Sequence, residues 1–315
     1  MNARLILAGA ATALGFLLCQ TATSLPSSAI VRFPLTIIHE HLYVPMSLLG
    51  QTKTHWWLVD TGSPWSLVDV DQAKQLVRSV ATISEGSTIV AGQKAKLLVD
   101  IGTIVDGYPM GGFDFFEASL SGMIEGNRNT SDRSSDRFEA GGVLGVNFLV
   151  RHDAILNFRS QLLLLRATST PRQNRAGFEG QGYTDVPIHV TGIGRIEAIG
   201  SVGATSYSFL IDSGSPQTVL QSTIKESSWL FGWKSDSVYF ALGQSSRVTS
   251  GRLPGFRLGA QDLSGNVVHF ANIPNLQTGF SHPLGGIIGE DFLSTYQAIL
   301  DIGGGALYLK PGPGK

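Results

Sequence analysis

The chain has 315 residues, of which 43% are hydrophobic and 15% charged, so it can bury a sizeable core in one large domain or two ordinary ones. The formal net charge of −1 and the absence of a basic, aromatic-rich stripe argue against a nucleic-acid-binding protein. Its 38 Gly and 13 Pro, with many short Val/Ile/Leu runs that end in Gly, Ser, Asn or Asp, favour an all-β protein with many turns.

The N-terminal segment is typical of an export signal. Arg4 precedes a 14-residue apolar run, Leu5 to Leu18, which is short for a transmembrane helix and suits the core of a signal peptide. We expect residues 1–28 to be a signal peptide and the protein to be periplasmic or secreted. The alternative is a membrane tether formed by residues 5–18. Removal of the signal takes away Cys19, the only cysteine, so we expect an exported protein without disulfides.

Residues 39–41 read His-Glu-His and place two imidazoles on one face of a predicted strand. This could form half of a metal site. However, the spacing differs from that of helical zinc motifs and no obvious third ligand follows. We interpret His39 and His41 as surface histidines and predict no metal and no cofactor.

The stretch HWWLVD at 55–60 is rich in aromatic and β-branched residues and predicts a buried strand that ends at an acidic residue. Three tryptophans lie in or beside this strand: Trp56, Trp57 and Trp65. We expect all three to pack in the core. The wall of a binding pocket is the alternative role.

Three more segments of the first half have predicted structures. DVDQAKQLV predicts a short helix in which Asp69 is the N-cap, Gln72 completes a capping box, and Asp71 lies on the surface. Residues 84–98 are our candidate for a hairpin flap. The polar, mixed-charge segment 126–142 predicts a mobile surface loop.

The polar segment 167–182 is rich in Gly and Thr and predicts a linker. Beyond it, the glycines of GIGRIEAIG at 192–200 miss the spacing of dinucleotide-binding and phosphate-binding loops, so we predict a hairpin turn there. YSFLID at 207–212 predicts a second buried strand that ends at an acidic residue.

The two acidic strand ends belong to an internal repeat. LVDTGSPWSLV at 58–68 and LIDSGSPQTVL at 210–220 are nearly the same sequence. Residues 142–165 and 286–309 also align without a gap, and shorter matches lie between these blocks in the same order. Such order at nearly constant spacing indicates a duplication.

Two copies are too few for a solenoid, so the repeat predicts two homologous lobes. We place the N-terminal lobe at 30–166 and the C-terminal lobe at 183–310, joined by the linker at 167–182. If the lobes pack around a pseudo-twofold axis, Asp60 and Asp212 face each other.

Two facing carboxylates cannot both ionise cheaply, so they share one proton. One carboxylate then acts as a general base and the other as a general acid. A water held between them can attack a carbonyl without a metal ion or a covalent nucleophile. We therefore do not assign Ser63 or Ser215, which follow the glycines, as nucleophiles.

The paired motifs resemble those of aspartic proteases of the pepsin and retropepsin clan. The resemblance is carried by residues 60–63 (Asp-Thr-Gly-Ser) and 212–215 (Asp-Ser-Gly-Ser), and by the apolar-apolar-Gly elements at 143–145 and 287–289. It covers nearly everything after residue 30 and is similar to a bacterial retropepsin-like module present twice. It implies a pepsin-like bilobal fold with a central cleft.

The resemblance also implies a role for each motif residue. Asp60 and Asp212 would be the catalytic dyad. Thr61 and Ser213 would hydrogen-bond across the lobe interface, and Gly62 and Gly214 would offer backbone N–H groups to the carboxylates. The apolar-apolar-Gly elements would pack beneath the active-site loops.

We therefore expect an aspartic endopeptidase that takes an extended peptide or an unfolded protein as substrate. One chain carries both half-sites, so a monomer suffices. The alternative is a pseudo-protease that binds or inhibits peptides without useful turnover, although both Asp-[Ser/Thr]-Gly triplets are intact.

Overall fold

A computed structural model describes residues 30–38, 40–76, 82–90, 93–120, 140–166, 175–226, 231–240, 244–273, 276 and 278–311. The predicted signal peptide lies outside these residues. So do His39, most of the predicted loop at 126–142, and the first part of the predicted linker. Within the described residues, no helix has the length and apolar character needed to cross a membrane.

The described chain is all-β, as the composition predicts, with twenty-three strands and five short helices. The strands of the first half are β1 Ile30–Pro34, β2 Thr36–Ile38, β3 His41–Leu48, β4 His55–Val59, β5 Leu67–Asp69, β6 Thr82–Val90, β7 Gln93–Val105, β8 Tyr108–Ala118, β9 Ala140–Leu144, β10 Ile155–Asn157 and β11 Leu162–Arg166. Those of the second half are β12 Thr184–Val190, β13 Ile196–Val202, β14 Thr205–Ile211, β15 Val219–Gln221, β16 Phe231–Phe240, β17 Gln244–Arg252, β18 Phe256–Leu258, β19 Gln261–Asp262, β20 Val267–Ala271, β21 Leu284–Ile288, β22 Ile299–Asp301 and β23 Ala306–Leu309. The helices are α1 Val70–Leu76, α2 Val146–Arg151, α3 Arg175–Glu179, α4 Ser222–Glu226 and α5 Glu290–Thr295.

These strands form two sheets. Eight strands follow the order β2-β3-β4-β9-β5-β8-β7-β6, and β3 also pairs with β7. The larger sheet has fifteen strands, thirteen of them in the order β1-β11-β10-β22-β23-β12-β13-β14-β21-β15-β20-β17-β16, with β18 and β19 attached beside β13. The larger sheet thus combines three strands of the first half with those of the second.

The strand pairings around the two acidic strand ends repeat. β4 pairs parallel with β9, which pairs antiparallel with β5. In the second half, β14 pairs parallel with β21, which pairs antiparallel with β15. The register repeats as well, since Leu58 lies opposite Val143 and Leu210 lies opposite Ile287.

In each half, a pair of buried aromatic rings packs at the strand that leads to the motif. The rings of Trp57 and Phe115 lie 5.4 Å apart, and those of Phe209 and Phe256 lie 5.4 Å apart. All four side chains are fully buried. Truncation of such a ring to alanine costs about 3–5 kcal/mol of folding free energy, so these pairs are a major support of the strands that carry the motifs.

The two copies of the repeat meet in one antiparallel strand pair, β10 with β22. In this pair Leu156 lies opposite Leu300, the residue that corresponds to it in the aligned blocks 142–165 and 286–309. Both leucines are fully buried. A residue that pairs with its own equivalent marks a local twofold relationship between the two copies.

The prediction of one strand through residues 39–41 is wrong. β2 ends at Ile38 and β3 begins at His41, and between them Glu40 has a φ of 64°. This left-handed backbone turns the chain and breaks the alternation that a strand requires. Among the described residues, no group of three or more His, Cys, Asp or Glu side chains is arranged to hold a metal ion.

The helix after the first motif and its cap at Asp69 are confirmed, but the predicted capping box is wrong, because the Gln72 side chain is engaged by Gln51. Asp69 Oδ1 accepts a hydrogen bond from the Asp71 backbone N–H at 2.9 Å, as an N-terminal cap does. The Gln72 side chain is buried and accepts a hydrogen bond from Gln51 Nε2 at 3.0 Å. Asp71 lies on the surface and pairs with Lys74 at 2.8 Å.

Four segment predictions have clear outcomes. Residues 84–98 fall within the β6–β7 hairpin, and the 192–200 segment contains the turn between β12 and β13, as predicted. Residues 140–142 belong to strand β9 and not to a loop. A Cβ atom on Gly142 would lie 2.2 Å from the Trp57 ring. Glycine therefore occurs here because the strand packs directly against that ring, and not because the chain forms a loop. Within the predicted linker, residues 175–179 form helix α3.

Candidate active site

Asp60 and Asp212 occupy equivalent positions at the ends of β4 and β14. The Asp60 backbone N–H donates to the Leu144 carbonyl at 3.1 Å, and that of Asp212 donates to the Ile288 carbonyl at 3.0 Å. These contacts place each acidic residue on the apolar-apolar-Gly element of its own half. The structure thus brings together the acidic strand ends and the elements that the resemblance implies beneath them.

Each carboxylate is held by the turn that follows it. Asp60 Oδ1 accepts hydrogen bonds from the backbone N–H groups of Gly62 at 2.8 Å and Ser63 at 3.1 Å. Asp212 Oδ1 accepts them from Gly214 at 2.9 Å and Ser215 at 3.1 Å. One oxygen of each carboxylate is therefore fixed, which orients the whole group.

The glycines bring the two carboxyl groups into one site. A Cβ atom on Gly62 would lie 2.3 Å from Asp212 Cγ, and a Cβ atom on Gly214 would lie 2.5 Å from Asp60 Cγ. Each carboxyl group therefore lies against the glycine of the other motif. Only a residue without a side chain permits this approach.

The hydroxyl residues between acid and glycine tie the motifs together. Thr61 Oγ1 donates to the Ile211 carbonyl at 2.8 Å, and Ser213 Oγ donates to the Val59 carbonyl at 2.7 Å. In the other direction, the Thr61 N–H donates to Ser213 Oγ at 3.1 Å and the Ser213 N–H donates to Thr61 Oγ1 at 2.8 Å. Both side chains are fully buried, so this network is shielded from competing water.

Burial governs the electrostatics of the acidic pair. Asp60 is 9% exposed and the two carboxyl groups hydrogen-bond each other. Desolvation raises the pKa of Asp60, although hydrogen bonds from Gly62 and Ser63 oppose it. Desolvation, followed by the negative charge of Asp60, raises the pKa of Asp212 well above its ordinary value. The pair is therefore suited to hold one proton between its two members.

A second layer of hydrogen bonds supports each motif, and sequence reasoning missed it. Ser66 Oγ donates to Asn147 Oδ1 at 2.8 Å and accepts from the Gly145 N–H at 3.0 Å. In the second half Thr218 Oγ1 donates to Asp291 Oδ1 at 2.7 Å. Ser66 corresponds to Thr218 and Asn147 to Asp291 in the repeat, so the alignment of the two halves could have revealed these pairs.

Two residues on the neighbouring strands also went unnoticed in the sequence. Tyr43 is buried on β3 opposite Leu58, and burial, with the charge of Asp60, raises its pKa to about 12. At the equivalent register position, opposite Leu210, stands Glu197. Although burial raises the pKa of Glu197, hydrogen bonds from Ser208 and Ser281 lower it overall.

The serines after the glycines make local backbone contacts. Ser63 Oγ donates to the Trp65 carbonyl at 2.7 Å and Ser215 Oγ donates to the Gln217 carbonyl at 2.8 Å. No base stands among these hydrogen-bond partners, so the contacts fit a role in shaping the turn.

The tryptophans divide between core and surface. Trp57 is 1% exposed and belongs to the core, as predicted. Trp56 is half-buried. The prediction of core packing is wrong for Trp65, which is 48% exposed and whose carbonyl group lies against Gly145.

Comparisons with known proteins do not assign this chain to a family. No family model matches the sequence, and no curated protein matches it. Among solved structures, basic 7S globulin from soybean is similar with a TM-score of 0.46 and 12% sequence identity, over 89% of this chain and 94% of that chain. A likeness this distant carries no argument about fold or activity.

Proposed function

We propose that this protein is an aspartic endopeptidase with a pepsin-like fold of two homologous lobes and a substrate cleft between them. Asp60 and Asp212 form its catalytic dyad. The observation that carries the proposal is the reciprocal packing of each carboxyl group on the glycine of the other motif. Such packing puts two carboxylates with raised pKa values side by side.

In the proposed reaction the dyad holds one proton and a water molecule. The ionised carboxylate removes a proton from the water, which attacks the peptide carbonyl, while the protonated carboxyl group donates its proton to the carbonyl oxygen. The carboxyl group that took the water's proton then gives it to the amide nitrogen, the other carboxylate takes back the proton from the hydroxyl of the tetrahedral intermediate, and the C–N bond breaks to leave a carboxylic acid and an amine. Thr61 and Ser213 act as positioning residues that keep the two carboxylates in register.

The test is cleavage of a library of unfolded peptides by the purified protein. We expect cleavage that a pepstatin-like inhibitor blocks and that a metal chelator leaves unchanged. Asp60→Asn and Asp212→Asn should each abolish it, because an amide can neither take up nor share the proton. Unchanged cleavage in either variant would rule out the dyad.

The competing function is a peptide-binding pseudo-protease. It predicts that the wild type binds peptides from the library and releases them intact. Mass spectrometry of the peptides after long incubation separates the two functions, since only an endopeptidase produces new termini.

A further inference from the structure

The two motif segments that flank the acidic pair differ most at one position, Trp65 against Gln217. The segments 58–68 and 210–220 share five of eleven residues, and five of the six differences exchange similar side chains such as Val for Ile or Thr for Ser. The sixth difference places an indole ring in one motif where the other has a carboxamide. Within the two motif segments, the backbone is therefore nearly symmetric and the main chemical difference is this exchange.

The backbones at Trp65 and Gln217 are held in the same way. Each carbonyl accepts a hydrogen bond from the serine two residues earlier, at 2.7 Å and 2.8 Å. A Cβ atom on Gly145 would lie 2.4 Å from the Trp65 carbonyl oxygen, and one on Gly289 would lie 2.5 Å from that of Gln217. The two side chains thus start from equivalent places beside the dyad.

Trp65 has a backbone held by hydrogen bonds and a side chain that is largely exposed. Ser63 links it to the dyad, because its N–H donates to Asp60 Oδ1 at 3.1 Å and its hydroxyl donates to the Trp65 carbonyl. The indole packs edge-on against Phe116, with ring centroids 5.5 Å apart. About half of the side chain remains exposed, which leaves an aromatic face for a ligand.

The second half extends this apolar surface with Ile193. A Cβ atom on Gly194 would lie 3.2 Å from Pro64 Cβ, so the β12–β13 turn touches the residue before Trp65. Ile193 is 44% exposed at that turn. The guanidinium of Arg195 stabilises the turn, because it donates hydrogen bonds to the carbonyls of Leu276 at 3.2 Å and Thr278 at 3.0 Å. Trp65 and Ile193 are therefore two exposed apolar residues on segments that contact each other.

The other flank carries the carboxamide side chain of Gln217. Gln217 is half-buried, and its Oε1 atom is shielded from water without a hydrogen-bond partner among the described residues. The half-buried carboxamide gives this flank a polar side chain where the other flank has an indole ring.

We propose that Trp65 and Gln217 set the direction and the specificity of peptide binding. A large apolar side chain of the extended substrate packs on Trp65 and Ile193, on one side of the scissile bond. A polar side chain faces Gln217 on the other side. Two equal flanks would accept a peptide in either direction, whereas unequal flanks select one. The inference rests on the proposed endopeptidase function and adds the substrate class to it.

The test compares cleavage-site profiles of the wild type with those of W65Q, Q217W and the double exchange W65Q/Q217W. Burial of a large apolar side chain stabilises binding by about 1.5–3 kcal/mol, so W65Q should lower kcat/KM for peptides with that side chain by roughly tenfold or more. The double exchange should move the apolar preference to the opposite side of the scissile bond. Leu49→Gln is the matched control, because Leu49 is 50% exposed and follows β3, at the far end of β4 from the dyad.

The outcomes separate this inference from the proposed function. Cleavage by the wild type with an unchanged profile in W65Q overturns the inference and leaves the endopeptidase in place. Absence of cleavage by the wild type overturns both. Circular dichroism checks the folding of each variant. If the double exchange does not fold, the single variants decide, since W65F should keep the apolar preference and W65Q should lose it.

Discussion

Thr61 and Ser213 exchange hydrogen bonds reciprocally, each backbone N–H donating to the hydroxyl of the other residue at 3.1 Å and 2.8 Å. Ser213→Ala removes the acceptor of the Thr61 N–H and the donor to the Val59 carbonyl. Because these groups are buried, we expect a loss of about 1–3 kcal/mol in the free energy of unfolding. Urea denaturation measures it.

The control for this network is Ser213→Thr, which keeps the hydroxyl and copies the residue of the first motif. We expect it to remain within about 1 kcal/mol of the wild type, since only a methyl group is added. Equal stability of the alanine and threonine variants would show that the hydroxyl network contributes nothing.

The glycines of the motifs should tolerate no side chain. Gly62→Ala places a methyl group 2.3 Å from Asp212 Cγ, and Gly214→Ala places one 2.5 Å from Asp60 Cγ. The carboxyl groups must then move apart, and we expect a loss of peptidase activity of roughly 100-fold or more. Gly192→Ala is the control, because a Cβ atom there meets nothing within 4 Å. If Gly62→Ala retains wild-type kcat/KM, the close apposition of the carboxyl groups is wrong.

The acidic pair should make the folded protein less stable as the pH rises. Its pKa values are raised in the folded state, so the unfolded chain loses these protons at lower pH than the folded chain. The contribution of the pair to stability is therefore fully present below about pH 4 and is lost as the pH rises through the folded pKa values.

Asp212→Asn tests this dependence. The amide oxygen can still accept from Gly214 and Ser215, while the ionisation is gone. We expect a higher melting temperature than wild type at pH 7 and no such gain at pH 3, measured by calorimetry. Asp71→Asn, at an exposed residue, serves as the charge-matched control. A gain of equal size at both pH values would contradict the ionisation argument.

His152 should destabilise the folded protein as the pH falls, which is the opposite of the effect of the acidic pair. Its ring packs 4.5 Å from that of Phe148, and burial, together with the charge of Arg151, lowers its pKa to about 4. The unfolded chain therefore takes up a proton near pH 6.5 that the folded chain refuses, and stability falls as the pH drops from about 6.5 to 4, by roughly 2–3 kcal/mol.

His152→Phe keeps an aromatic ring on Phe148 and removes the titration. We expect the loss of stability between pH 6.5 and pH 4 to shrink by that amount in urea titrations at each pH. His282→Gln, at an exposed residue, leaves His152 untouched and should keep the full loss. Parallel curves for wild type and His152→Phe would exclude His152 as the source.

How much the sequence could predict depends on whether the determinants are local. The strands ending at Asp60 and Asp212, the cap at Asp69 and the 192–200 turn follow from neighbouring residues, and they are confirmed. The pairing of the two acids follows from the repeat, which is also written in the sequence.

Other features depend on partners that are distant in sequence. The exposure of Trp65 depends on what covers it in three dimensions, and an aromatic residue beside a buried strand gives no sign of this. The proximity of Tyr43 to Asp60 follows from the β3–β4 register, which no single residue specifies. At Glu40, a left-handed backbone overrides an alternating pattern that favours a strand.

The pairing of Leu156 with Leu300 has a consequence for cooperativity. It lies inside the fifteen-strand sheet, so strands that precede residue 167 and strands that follow residue 183 share one continuous ladder of backbone hydrogen bonds. Melting of either copy of the repeat removes ladder partners from the other. Both halves should therefore unfold in one calorimetric transition, and damage to either one disables both motifs together.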